Sequence, residues 1–300
     1  MSRTTLGQVL REEDKSLRRL VLLLADQSLT IAAEIPRTLG GTTRQNVYGE
    51  KQAEIDVWSN DLLTRKLVKS RLVKQIASEE LDTPLEQRQG EFSVTLDPLD
   101  GSSNIKSNNL MGTIVGIYQG TTTLPAKGKN QIAAIYFLYG PYTQAVIALN
   151  RGVYIFVATK KTSASTAYVW DGSTHRLPEK GTVYGFGGLK EKWTPRVNSY
   201  VQSLERKGLK LRYGGSFVGD FNQVLYYGGV FAYPELVDAP NGKLRLQFES
   251  NPVALITERA GGRGSTGAGS ILDVDPKQID DRVPTYVGNA ELIEELERSA

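Results

Sequence analysis

The 300-residue sequence has no cysteine and a single histidine. The first absence excludes disulfides, thiolate nucleophiles, iron–sulfur clusters and cysteine-ligated zinc. The second removes most histidine-dependent mechanisms. The one histidine, His175, stands in the polar stretch Asp171-Gly-Ser-Thr-His-Arg, where a solvated loop residue is expected. Long apolar runs are also missing: residues 20–25 and 132–138 are among the longest, far short of the roughly 20 that a membrane-spanning helix needs. No basic flank followed by an apolar stretch opens the sequence, so a cytoplasmic location is expected. Neither sign of charge dominates, since 36 Lys and Arg face 33 Asp and Glu for a formal +3, and neither nucleic acid nor a membrane is expected as partner. Chemistry in this chain must rest on carboxylates, hydroxyls, lysine, arginine, backbone groups or a hard metal.

What is present is enough apolar sequence, 40% of residues, for one large domain or two ordinary ones. Residues 4–39 repeat apolar side chains at spacings of three and four (Leu6, Val9, Leu10, Leu17, Leu20, Val21, Leu24), which predicts one helix ended by Pro36 and Gly40-Gly41. Residues 48–51 read as an exposed loop and 55–69 as a second helix. Short β-rich runs follow at 72–77, 92–96, 113–118, 132–138, 144–149 and 153–158, a large sheet. The remainder alternates: strand 182–186, helix 197–206, strand 209–213, helix 218–226, strands 230–233 and 244–248, helix 252–260. Alternation of this kind favours an α/β arrangement with helices on both faces of a sheet. The weakest composition boundary, residues 168–180, marks the expected joint between an N-terminal half, 1–175, carrying the acidic residues and a substrate-binding half, 176–300.

Two of the predicted strands end in acid: one at Ser78-Glu79-Glu80, the other at Leu96-Asp97-Pro98-Leu99-Asp100-Gly101. If the strands are neighbours, Glu79, Glu80, Asp97 and Asp100 converge, and so many buried carboxylates demand a cation. An oxygen-only cluster suits Mg²⁺ or Mn²⁺. Pro98 stiffens the turn so that the Leu99 carbonyl can join as a ligand. Gly101-Ser102-Ser103-Asn104 then offers backbone N–H groups and hydroxyls to a phosphate oxyanion. Metal ligands followed directly by a phosphate cradle suggest metal-assisted phosphoryl chemistry. A lone Asp-Pro-Leu-Asp-Gly is more often a surface turn, and it is the second acidic strand end that shifts the balance. A calcium loop is disfavoured because the regular acidic spacing of an EF-hand is missing.

Asp97-Pro-Leu-Asp-Gly-Ser-Ser-Asn-Ile resembles the signature of class I fructose-1,6-bisphosphatases, in the Mg²⁺-dependent sugar and inositol phosphatase superfamily. The likeness continues in order through Ile55-Asp-Val-Trp-Ser-Asn-Asp-Leu, Ser78-Glu-Glu, Met111-Gly-Thr-Ile-Val-Gly-Ile-Tyr, Tyr227-Gly-Gly-Val-Phe-Ala-Tyr-Pro, Gly242-Lys-Leu-Arg-Leu and Glu249-Ser-Asn-Pro-Val-Ala. It implies a five-layer α-β-α-β-α fold with two mixed sheets and hydrolysis of the C1 phosphate of fructose 1,6-bisphosphate, a step of carbohydrate metabolism. It further implies that Glu79, Glu80, Asp97, Asp100, Glu249 and the Leu99 carbonyl bind metal, and that Asp56 and Glu80 help activate water. Glu50 stands where relatives carry a mobile-loop aspartate. Gly101, Ser102, Ser103 and Arg245 match groups around the departing phosphate. Lys243, Tyr233, Tyr213 and Arg212 match groups that hold the sugar and distal phosphate, Arg212 reaching from a neighbouring subunit of a homodimer or homotetramer. Read alone, Lys243 and Arg245 are also an ordinary solvated strand face, Glu249 a helix-start carboxylate, and Arg212, Tyr213 and Tyr233 strand ends or a packed turn.

Departures bear on the substrate. An Asn-Glu-Gly-Tyr stretch that touches the distal phosphate in relatives is here Gly187-Gly-Leu-Lys-Glu-Lys, with Lys190 or Lys192 as possible replacements. Sedoheptulose 1,7-bisphosphate is therefore the nearest alternative substrate. An inositol-monophosphate-type activity would leave Lys243, Arg212 and Tyr213 without a second phosphate, and a non-catalytic sugar-phosphate sensor would not need the full carboxylate set. Positions that hold AMP in many relatives, a Lys-Tyr pair and an Arg, are Glu91, Phe92 and Gln119 here, so AMP inhibition is expected to be absent. Arg18 and Arg19 lie in a segment unlike the relatives' nucleotide-binding turn and offer no substitute.

Overall fold

The structure is a computed structural model that describes residues 4–40, 47–162 and 165–299. Three helices open it: α1 (Leu6–Val9), α2 (Lys15–Gly40) and α3 (Val47–Ser70). Eight strands follow: β1 (Val73–Ser78), β2 (Leu85–Glu86), β3 (Phe92–Asp100), β4 (Met111–Gln119), β5 (Gln131–Tyr139), β6 (Thr143–Leu149), β7 (Gly152–Thr162) and β8 (Ser165–His175). They form one sheet in the order β2-β1-β3-β4-β5-β6-β7-β8, antiparallel except where β1 runs parallel to β3. The second sheet is built from β9 (Val183–Phe186), β10 (Lys210–Leu211), β11 (Gly229–Tyr233), β12 (Arg263–Ser265) and β13 (Thr285–Gly288). Its order is β10-β9-β11-β13-β12, with β9 parallel to both neighbours and β13 antiparallel to both of its own. Helices α4 (Pro195–Arg206), α5 (Phe217–Tyr227), α6 (Asn251–Arg259) and α7 (Ala290–Arg298) lie between and outside the sheets.

Three apolar clusters stack these elements. Leu20, Leu24 and Ile31 of α2 and Leu63 and Leu67 of α3 pack on Val94, Val115 and Ile135 of the large sheet. The opposite face, with Ile114, Ala134 and Tyr136, packs on Phe221 of α5 and Val253 and Ile256 of α6, which also meet Phe231 and Val287 of the small sheet. The small sheet's far face, with Phe186, Val230 and Tyr286, is covered by Val197 and Leu204 of α4 and Ile293 and Leu296 of α7. The fold is thus two mixed sheets in five layers, α-β-α-β-α, as the resemblance implies. Among the described residues no helix is long and apolar enough to cross a membrane.

Several local expectations are corrected. The first helical segment is broken at Asp14, whose carboxylate accepts the Ser16 and Leu17 N–H groups at 2.8 and 3.1 Å and so caps α2. Pro36 lies inside α2 rather than ending it; Ile31 is fully buried and Ile35 packs on the same core, which offsets the lost backbone bond. Residues 48–51 belong to α3 and not to a loop, because its first turns carry little apolar periodicity to announce them. Residues 168–175 are strand: β8 is an edge with one polar face, which reads as a turn. His175 ends that strand, its Nε2 2.8 Å from the Leu225 carbonyl and its ring 5.2 Å from that of Tyr226, and is no solvated loop histidine. Residues 244–248 do not form a strand. Leu246–Ser250 make a wide π-type turn in which the N–H groups of Glu249 and Ser250 both donate to the Arg245 carbonyl. The sequence pattern stops short of β12, β13 and α7.

Candidate active site

The site grows from the parallel pairing of β1 and β3. Ser78 lies opposite Leu96, so both strands reach the same sheet edge and Glu79 stands beside Asp97. A bulge between Asp97 and Asp100 sets two residues of β3 against one of β4 and accommodates Pro98 within the strand, its carbonyl accepting from the Thr113 hydroxyl at 2.8 Å. Gly101 then turns with φ +75°; a Cβ there would sit 2.6 Å from that of Ser216, so the strand end and the start of α5 approach as closely as glycine permits. Glu249 arrives from the other direction. The π-type turn folds it back so that its Oε2 accepts the Arg245 N–H at 2.7 Å.

Glu79, Asp97 and Glu249 each present a carboxylate oxygen within 4.8 Å of the others. Burial pushes the pKa values of Asp97 and Glu249 well above the carboxylate range, and the neighbouring Glu79 charge pushes both further. Burial also raises Glu79, against the pull of Arg245, whose guanidinium lies 3.0 Å from both the Glu79 carboxylate and its backbone carbonyl. This oxygen-only, mutually repelling set fits a hard divalent cation. Asp100 is placed differently: its carboxylate accepts from the Ser216 hydroxyl at 2.7 Å and from the Val218 and Phe217 N–H groups at 2.9 and 3.3 Å, at the N-terminus of α5. Asp56 of α3 is pushed up to about 7 by burial, with the Ser102 hydroxyl pulling down and Glu80 and Glu79 pushing up.

One cavity of about 320 Å³ is lined by Asp56, Glu79, Glu80, Asp97, Leu99, Asp100, Gly101, Ser102, Ser103, Tyr233, Lys243 and Glu249. Lys243 sits 4.8 Å over the Tyr233 ring, so the basic and acidic walls face each other across it. Arg245 touches this cavity only through Glu79. Arg212 and Tyr213 line a neighbouring cleft of about 150 Å³ with Asn109, Asp220 and Gln223; the link is the Tyr213 hydroxyl, 3.3 Å from that of Tyr233. The side chain of Glu50 lies outside the described residues.

Sequence reasoning missed the groups that hold these residues. Asp220 accepts the Gly214 and Gly215 N–H groups at 2.5 and 3.0 Å, while Asn104 and Asn109 donate to the Gly214 carbonyl at 3.0 and 2.9 Å. The strap carrying Arg212, Tyr213 and Ser216 is thereby tied to the segment that follows Gly101. Arg282 donates to the Lys243 carbonyl, and the stretch around it pairs with Leu244 and Leu246. The one available signal was Ser216 ahead of an acidic first turn, a helix-start pattern.

A profile described as "Fructose-1-6-bisphosphatase, N-terminal domain" matches residues 8–164, and one described as "Fructose-1-6-bisphosphatase, C-terminal domain" matches 177–300. The class 1 fructose-1,6-bisphosphatase of Natronomonas pharaonis is 46% identical over 275 residues, 89% of this chain and 95% of the relative. That of Halobacterium salinarum is 45% identical over 276 residues, 91% and 93% respectively. The chain belongs to the fructose-1,6-bisphosphatase family. Crystal structures of the Leishmania major fructose-1,6-bisphosphatase agree in fold: the holo form superposes with a TM-score of 0.88 at 28% identity over 99% of both chains. The T-state form gives 0.88 at 28% identity over 100% of this chain and 99% of that one.

Within the fructose-1,6-bisphosphatase frame, the departure at Gly187 has a steric counterpart. A Cβ there would lie 2.1 Å from the Tyr233 ring, so the ring occupies the space of any side chain. Neither Lys190 nor Lys192 lines the cavity, and Lys192 is paired with Asp238 at 2.5 Å.

Proposed function

We propose that the protein hydrolyses the C1 phosphate of fructose 1,6-bisphosphate to fructose 6-phosphate and phosphate. The observation that carries this reading is the single cavity in which a carboxylate triad, a Gly101–Ser103 phosphate cradle and a Lys243–Tyr233 wall face one another. Glu79, Asp97, Glu249, Asp100, Glu80 and the Leu99 carbonyl would hold Mg²⁺ or Mn²⁺, which, when bound, polarises the phosphoryl group and offsets the charge that accumulates on it. Asp56, with its acid near 7, is poised to take a proton from the attacking water, with Glu80 beside it. The new bond joins the water oxygen to phosphorus and the broken one joins phosphorus to the C1 oxygen, which leaves as the sugar alkoxide and is reprotonated from solvent. Gly101, Ser102 and Ser103 donate to the equatorial oxygens, and Arg245 holds Glu79 in place while adding positive charge. Glu50, in the first turn of α3, would add a further carboxylate.

Lys243 and Tyr233 would hold the sugar and distal phosphate, joined by Tyr213 and by an Arg212 supplied across a subunit boundary. Leu211 and Tyr213, both at least half exposed at the β10 edge, support a homodimer or homotetramer built on that edge. Sedoheptulose 1,7-bisphosphate is the second reading, favoured by the missing distal contacts at Gly187 and Gly188. Phosphate release from the two bisphosphates and from inositol monophosphate, with Mg²⁺, Mn²⁺ or excess chelator, tests both readings. Fructose 1,6-bisphosphate is expected to turn over fastest and chelator to stop it; turnover that survives chelator would refute the mechanism.

A further inference from the structure

Behind the carboxylates, on the sheet face that looks toward α6, four fully or almost fully buried polar side chains converge: Thr95, Tyr118, Gln131 and Asn251. Strand register places three of them on that face. Thr95 lies opposite Gly116 in β4, Gly116 and Tyr118 share a face by alternation, and Tyr118 lies opposite Gln131 in β5. Asn251 opens α6 above them and its carbonyl accepts from the Gln131 amide at 3.0 Å.

Among the described residues, five side-chain atoms of this group have no protein partner: Thr95 Oγ1, Tyr118 OH, Gln131 Oε1 and both Oδ1 and Nδ2 of Asn251. Asn251 is near enough to pull the Tyr118 pKa down against the push of burial, yet the pair does not reach hydrogen-bond geometry. The Gln131 amide cannot be turned to help, because its Nε2 already donates to the Gly128 and Asn251 carbonyls at 2.9 and 3.0 Å. Gly116 lets the group draw together: a Cβ there would stand 2.5 Å from Thr95 Oγ1 and 2.7 Å from Gln131 Oε1, so only glycine admits both so close to β4. Buried polar groups are almost always satisfied, and so many unpaired together would be heavily destabilising.

We propose that this cluster is a hydration site that holds at least one ordered water bridging Thr95, Tyr118, Gln131 and Asn251. The ligand class follows from the donor set. Two hydroxyls and an amide N–H₂ can donate while two carbonyl oxygens accept, which suits a molecule that does both; a cation would want oxygens only and an anion donors only. Flipping the Asn251 amide leaves the same inventory. Its position makes the water a fastener. Thr95 is two residues before Asp97 and Asn251 two after Glu249, so the bridge ties together the strand and the turn that deliver two carboxylates of the triad. This fastening role rests on the metal-binding reading above; the hydration site itself does not.

A high-resolution crystal structure of the intact protein reads the site directly. A water peak within hydrogen-bonding distance of at least three of the four side chains is expected, and direct pairing among them with no water density would overturn the proposal. The fastening role is read by Mn²⁺ binding followed by electron paramagnetic resonance, with no substrate present. Thr95→Val, nearly isosteric, should weaken Mn²⁺ binding by about tenfold, as loss of groups that orient metal ligands typically does, and Thr95→Ser should restore it. Unchanged Mn²⁺ affinity in a folded Thr95→Val protein that has lost the water would overturn the fastening role while leaving the hydration site standing, and neither result depends on which sugar the enzyme prefers.

Discussion

The two walls of the cavity are built by opposite rules. On the acidic wall Asp97 and Glu249 are buried, and Glu249 and Asp100 are each gripped by backbone N–H groups of the π-type turn or the α5 terminus. On the basic wall Lys243 is exposed and touches the Tyr233 ring face, and Tyr213 meets Tyr233 through one long hydroxyl contact. Geometry that must be right to a fraction of an ångström is over-determined by packing. The basic wall is left to solvent-accessible side chains that can change without disturbing the core. The departure at Gly187 fits that division: it lies against the Tyr233 ring and leaves every candidate metal ligand in place.

Breaking the acidic wall should have the largest effect. Asp97→Asn or Glu249→Gln is expected to lower turnover by about a thousandfold or more, since Lewis-acid stabilisation is worth several kcal/mol. The folded, metal-free protein should become no less stable, because a repelled buried charge has been removed. Steady-state assays paired with thermal melts check both halves; an Asp97→Asn enzyme with near-normal turnover would end the comparison.

A second contrast lies along β3 itself, whose C-terminal end carries Asp97 and whose N-terminal end follows Glu91. Glu91 accepts from the Ser16 hydroxyl at 2.5 Å, so the start of α2 is held by a carboxylate where many relatives present a cation to AMP. Loss of two charge-assisted contacts predicts AMP binding at least about a hundredfold weaker than in AMP-sensitive relatives. Titration of AMP to millimolar levels at subsaturating Mg²⁺ should leave activity intact, and cooperative inhibition at micromolar AMP would show that other residues rebuilt the site.

The acidic wall also has a pH signature. Asp97, Glu249, Asp100 and Glu79 are raised above their ordinary values, chiefly by burial, and Asp56 is raised to about 7. The folded chain therefore holds protons that the unfolded chain has released, and stability is full below the unfolded values near 4 and is lost as pH rises through the folded ones. Without metal, the melting temperature should fall by roughly 5 °C or more between pH 5 and 8, at the 2–4 °C per kcal/mol expected of a large domain. Saturating Mg²⁺ should abolish most of that fall; a metal-free melting temperature that rises with pH would contradict the burial argument.

The same contrast explains what was legible beforehand. Asp97 and Asp100 could be read because acid at the end of an apolar strand is a local pattern, and the pairing of β1 with β3 needed only one assumption. Glu249 looked like a strand end for the wrong reason: Leu244, Leu246 and Phe248 alternate, but Gln247 between them is also fully buried, its amide bonded to Ala126. Period-two apolar spacing in a turn that is buried on all sides mimics a strand. Ser216 was invisible as a site residue because its partner Asp100 lies 116 residues away in sequence. The five-layer order came from family likeness; helix and strand alternation alone does not say that α5 and α6 lie between two sheets.

The smallest effect probes the basic wall. Tyr233 is buried against Phe217 and Phe231, with Gly187 under its ring, so its position does not depend on Tyr213. Tyr213 is half exposed and reaches it by a single 3.3 Å hydroxyl contact, long for an O–H···O bond. Tyr213→Phe should therefore leave the melting temperature essentially unchanged and kcat within about twofold, while KM for fructose 1,6-bisphosphate rises about three- to tenfold, the worth of one neutral hydrogen bond. The informative control is fructose 1-phosphate, which keeps the reacting phosphate and lacks the distal one. If Tyr213 serves the distal phosphate, its substitution changes KM for the bisphosphate and not for the monophosphate. An equal rise for both would place the hydroxyl's role in orienting Tyr233 beneath Lys243, and the basic wall would then be as interdependent as the acidic one.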